Sequence, residues 1–133
     1  MNRIVLSFTL AAMAGWAQAQ AWPTKPIRFV MPYPPGGSSD ILARPIANEM
    51  TKSLGQPVLI EYKPGGGSTI GADFIAKSAP DGHTLVMLLT AHAINASLMP
   101  KLPYDTVKDI VPIGQTQWSY LSLIHISEPT RRR

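Results

Sequence analysis

The 133-residue sequence contains no cysteine, which excludes a disulfide framework and leaves stability to a hydrophobic core. It is also poor in charge, at 15% of residues. Between residues 22 and 120 eight lysines and arginines face seven aspartates and glutamates, a balance of +1. The formal +4 of the whole chain adds Arg3, Arg131, Arg132 and Arg133 and subtracts Glu128. No basic stripe is left to hold nucleic acid. Long apolar runs are missing as well: the run at residues 4–15 falls short of the roughly 20 residues that span a bilayer.

Several signatures of chemistry are absent. A phosphate-binding P-loop needs Lys and then Ser or Thr after its last glycine, but Gly71 is followed by Ala72 and Asp73. A dinucleotide fingerprint read from Gly65 and Gly67 needs glycine at position 70, which is Ile70. Ser38, Asp40, His83 and His92 contain the residue types of a hydrolytic triad, but no Gly-x-Ser-x-Gly elbow presents them. With no cysteine and only His83 and His92 between residues 22 and 120, no zinc site and no cofactor are expected. His83, in an Asp81-Gly82-His83 turn, reads as a surface residue.

What is present divides into three parts. Asn2 and Arg3, the apolar run and Ala17-Gln18-Ala19 have the layout of a secretory signal peptide over residues 1–19, with cleavage after residue 19 or 21. Residues 22–120 read as the N-terminal part of a globular domain. Residues 121–133 look like the in-frame translation of a sequencing adaptor, and are set aside from fold reasoning.

Within the middle part a theme recurs: a short apolar run, a glycine-rich turn, then a helix. Residues 27–31, bounded by Pro26 and Pro32, predict a strand. After Pro34-Pro35-Gly36-Gly37, Ser38 or Ser39 offers an N-cap, and Asp40 puts a negative charge in the first turn. The helix is expected to reach Leu54 and stop at Gly55, with Pro45 kinking its first turns. Its buried stripe reads as Leu42, Ile46, Met50 and Leu54. Residues 58–62 predict a second strand, and residues 69–77 a second helix. Residues 84–89 predict a third strand whose continuous apolar run suits a central position. Thr90 to Ser97 has some helical character, and residues 110–115 predict a fourth strand.

Strands alternating with helices imply a parallel α/β sheet with right-handed crossovers. In such sheets ligands bind beyond the carboxyl ends of the strands, where strand order reverses. The expected order is 2-1-3, with the glycine-rich turns on that edge. Pro35-Gly36-Gly37-Ser38-Ser39-Asp40 at a helix start exposes unpaired backbone N–H groups, suited to an anion. Alone it is equally an ordinary tight turn. The second loop, Gly65-Gly66-Gly67-Ser68 before a second helix, favours anion binding.

The ordered motifs are more specific than any one of them. Trp22-Pro23-x-Lys25-Pro26-Ile27, Pro32-Tyr33-Pro34-Pro35-Gly36-Gly37-Ser38-Ser39-Asp40, Gly55-Gln56-Pro57-Val58, Pro64-Gly65-Gly66-Gly67-Ser68, Ala79-Pro80-Asp81-Gly82-His83-Thr84-Leu85, Asn95 and Leu102-Pro103-Tyr104-Asp105 follow in order. Together they resemble the Bug-type extracytoplasmic solute receptors, the binding proteins of tripartite tricarboxylate transporters. The resemblance implies a periplasmic-binding-protein-like lobe whose second lobe is missing here. It implies a periplasmic protein that binds a small carboxylate and delivers it to integral membrane transporter subunits, without catalysis, as a monomer when full length. Carboxylate contacts carried over are Tyr33, Gly36, Gly37, Ser38 and Asp40 in the first loop, and Gly66, Gly67 and Ser68 in the second. Thr90, His92 and Asn95 follow the third strand and would contact the rest of the ligand. Tyr62-Lys63 departs from the family, which often has Asn before the basic residue. The alternatives are a hydrolase-like enzyme on a similar sheet or a sensory ectodomain using the same loops.

Overall fold

The alternation of apolar runs and glycine-rich turns folds, in a computed structural model that describes residues 22–118, into three parallel strands joined by helices. The leader and the adaptor-like stretch lie outside the described residues. The elements are β1 (Ile27–Met31), α1 (Ser38–Leu54), β2 (Val58–Tyr62), a short 3-10 turn (Gly66–Ser68), α2 (Thr69–Ala76), β3 (Thr84–Val86) and α3 (Thr90–Leu98). The strand order is β2-β1-β3. Ile27 stands opposite Val58 and Met31 opposite Tyr62, while Phe29 stands opposite Leu85. The sheet and its order match the sequence expectation. The centre, however, is β1, and β3 pairs on one side only among the described residues.

Strand alternation sends Phe29 and Met31 to one face, where they bury with Ala43, Ala47 and Met87. Helix α1 covers that face. Arg28 points to the other, where its guanidinium lies 5.0 Å from the Phe74 ring of α2. Both faces are therefore covered, as a parallel sheet requires.

Several local expectations are corrected. Gly37, not Ser38 or Ser39, is the N-cap of α1, and no side chain caps it. The buried line of α1 is Ser39, Asp40, Ala43 and Ala47. Leu42 and Ile46 flank the core, and Met50 and Leu54 are half-buried. Small residues occupy the line nearest the sheet because the two backbones approach there, and larger side chains fill the sides. Strand β3 ends at Val86, although the Met87 amide still bonds Val30 O at 3.1 Å. No strand forms at residues 110–115, where Pro112 and Gly114 interrupt the run and no neighbour among the described residues offers a ladder. Helix α1 runs unbroken through Pro45. Both Pro45 and Ile41, whose carbonyl loses its partner, lie exposed, so water can serve the carbonyl.

His83 is buried, against the surface position expected. Its Nε2 accepts the Thr24 N–H at 3.3 Å, and Nδ1 lies 3.0 Å from Asp81 O. In the neutral ring the proton therefore sits on Nδ1. Trp22 packs against this ring at a tilt of 60°, with centroids 5.8 Å apart, and Lys25 pairs with Asp81 at 2.8 Å. The segment preceding β1 is thereby clasped to the turn preceding β3.

Candidate functional site

Because all three strands run the same way, the loops leaving their carboxyl ends share one edge, and the chain reverses its direction across the sheet at β1. Side chains knit the loops together there. Tyr33 of the first loop accepts the Leu89 N–H at 3.0 Å, just ahead of α3. Asn95 of α3, itself buried, donates Nδ2 to Gly67 O at 2.7 Å in the second loop. The three loops singled out from sequence thus meet.

The first loop turns at Gly36, whose φ of +83° suits glycine, and enters α1 at Gly37, whose φ is −79°. Asp40 and Ile41 donate their amides to Gly37 O. The amides of Ser38 and Ser39, in the first turn, find no acceptor among the described residues. Ser38 is exposed and Ser39 buried, and the positive end of a 17-residue helix favours negative charge beside such N–H groups. Asp40 is turned into the protein: its Oδ2 accepts the Gly36 N–H at 3.0 Å and Arg44 Nη2 at 3.0 Å, and its Oδ1 accepts the Tyr62 hydroxyl. The Tyr62 hydroxyl, then the Gly36 amide and Arg44, hold the Asp40 carboxyl below its ordinary range. Asp40 in turn raises Tyr62.

In the second loop Gly66 and Gly67 are exposed, while Ser68 is buried with a φ of 80°, uncommon for a residue with a side chain. Ser68 Oγ finds no hydrogen-bond partner among the described residues. In the third, Thr90 opens α3 and is half-buried. His92 stacks on Tyr104 with centroids 5.8 Å apart and ring planes 8° apart. Burial holds His92 below the ordinary imidazole range, partly offset by the Thr106 backbone.

Sequence reasoning gave Arg44 no role, placed Tyr104 in a motif without a role at the site, and noted Tyr62 only as a departure. Arg44 was legible as the (i, i+4) partner of Asp40. Tyr62 was legible by strand parity, since it shares the face of Phe29 and Met31 that α1 covers. The Leu102-Pro103-Tyr104-Asp105 motif marked Tyr104 but not its burial, which comes from the return of a loop.

Residues 42–130 match the model of the tripartite tricarboxylate transporter family receptor. The chain belongs to this receptor family. The match extends past residue 120, into the stretch that reads as adaptor-derived. BugT of Bordetella pertussis is 43% identical over 106 residues, covering 78% of this chain and 32% of BugT. MatC of Rhodopseudomonas palustris with bound malate superposes with a TM-score of 0.62 at 44% identity, over 66% of this chain and 30% of MatC. A second R. palustris protein, with adipate, gives 0.61 at 34% identity, over 64% of this chain and 29% of that one. The chain spans about a third of the length of the curated relatives it matches.

Proposed function

We propose that this chain supplies one wall of a cleft that binds a small carboxylate in the periplasm for delivery to membrane transporter subunits, with no catalytic step. The first loop, from Tyr33 through Gly36, Gly37 and Ser38 to Asp40, forms the carboxylate cradle. Gly66, Gly67 and Ser68 face it from the second loop, and Thr90, His92 and Asn95 border the remainder of the ligand. The observation that carries this reading is the pair of free amides on Ser38 and Ser39 at the sheet edge where all three loops meet. The relatives holding malate and adipate support a dicarboxylate as the first ligand to try. The signal-peptide layout of residues 1–19 supports export.

Gly37→Val in the full-length receptor tests the cradle. A Cβ at Gly37 meets only Pro34 O at 3.7 Å and Ser39 Oγ at 3.9 Å, and φ is ordinary, so the unliganded fold should survive. The branched side chain would stand beside the amides and obstruct a carboxylate. Thermal stabilisation by malate or adipate should vanish while the unliganded Tm stays near that of the parent. Equal stabilisation in parent and variant would place the carboxylate elsewhere.

A further inference from the structure

We infer that Tyr62 is a positioning residue for the first-loop cradle: through Asp40 it holds the Gly36–Gly37 turn so that the Ser38 and Ser39 amides stay unpaired. The inference rests on the carboxylate reading of that site and adds a residue that the reading does not contain. Asp40 is the third residue of α1. An acidic or amide side chain at this position commonly reaches back to the amide of the N-cap residue, here Gly37. Asp40 instead reaches one residue further, to Gly36 N–H at 3.0 Å.

The geometry supplies the reason. Tyr62 ends β2 opposite Met31, and the Lys63 amide bonds Met31 O at 2.8 Å, so the sheet fixes where the phenol stands. Its hydroxyl donates to Asp40 Oδ1 and accepts from Arg44 Nη2 at 3.0 Å. Arg44 also donates Nε to Asp40 Oδ2 at 3.1 Å. With both oxygens engaged, the carboxylate is held off the helix amides. Arg44 could not do this alone, since its side chain is 59% exposed and rides on the same helix. Released from Tyr62, Asp40 can swing toward its usual partner at Gly37 and bring its charge closer to the amides an incoming carboxylate needs.

Amide exchange by NMR and calorimetric titration with malate and adipate test this in the full-length receptor. In Tyr62→Phe, which keeps the ring, Gly36 exchange in the unliganded protein should rise by about tenfold as one hydrogen bond is weakened. Gly37 should become better protected, while the amides of Phe29 and Val30 stay as in the parent. Affinity for whichever dicarboxylate binds should fall by about tenfold. Tyr62→Phe added to Asp40→Ala should cost nothing more, because Tyr62 acts through Asp40. Unchanged exchange at Gly36 would overturn the inference, as would losses that simply add in the double variant. A parent that binds neither ligand would count against the proposed function, while Gly36 exchange would still decide the role of Tyr62.

Discussion

Asp81 shows how much one side chain can be made to do by its neighbours. Lys25, at 2.8 Å, and the His83 amide, at 2.9 Å, lower its carboxyl from 3.8 to about 2. A depressed carboxylate stabilises the folded state fully above its unfolded value, and the benefit is lost as pH falls toward the folded one. The clasp of residues 22–25 onto the His83 turn should therefore loosen as pH drops from about 4 through about 2. Trp22, whose Nε1 donates to Asp81 O at 3.3 Å, is the reporter. In Asp81→Asn the fluorescence change over this range should shrink. An acid profile identical to the parent's would show that this pairing contributes nothing.

The elements are held by close approach more than by large side chains. Helix α2 meets the end of β1 at Gly71, where a Cβ would lie 2.5 Å from Pro32 Cβ and 3.2 Å from Lys63 O. Pro32 is fully buried and Lys63 O is backbone, so neither can yield cheaply. Gly71→Ala should destabilise by about 1–3 kcal/mol through overpacking, despite alanine's better helix propensity. Chemical denaturation would measure this, and a neutral or stabilising effect would mean that α2 has room to move outward. The same logic explains α1. The apolar spacing of Leu42, Ile46, Met50 and Leu54 is real, but Ala43 and Ala47 lie on the line of closest contact. Periodicity registers large apolar residues and undercounts small ones, so the stripe read from sequence was rotated relative to the buried one.

For the whole molecule, enclosure is what turns a cradle into a receptor. A small ligand is normally bound by burying most of its surface, and this chain spans about a third of its curated relatives. The 133-residue chain by itself should therefore bind malate or adipate at least about tenfold more weakly than a full-length receptor of the family. Calorimetry on both proteins measures the difference, and micromolar binding by this chain would show that one wall suffices. The described residues leave Ile41, Leu98 and Val107 more than two-thirds exposed.

Residue order alone determined the three strands, their parallel alternation with helices and the glycine-rich loops at one edge. These follow from local signals: β-branched runs, turn residues, and the geometric rule that crossovers return parallel strands to the same edge. The motif order also pointed to the receptor family. Tertiary structure decided the rest. Whether Asp40 also gives its carboxylate to Tyr62, 22 positions away, and whether His83 is buried beside Trp22, 61 positions away, depends on distant residues. The fate of residues 110–115 was decided in the same way, because a strand exists only where another backbone completes its hydrogen bonds. Such partners are chosen by packing in three dimensions, and no window along the chain contains them.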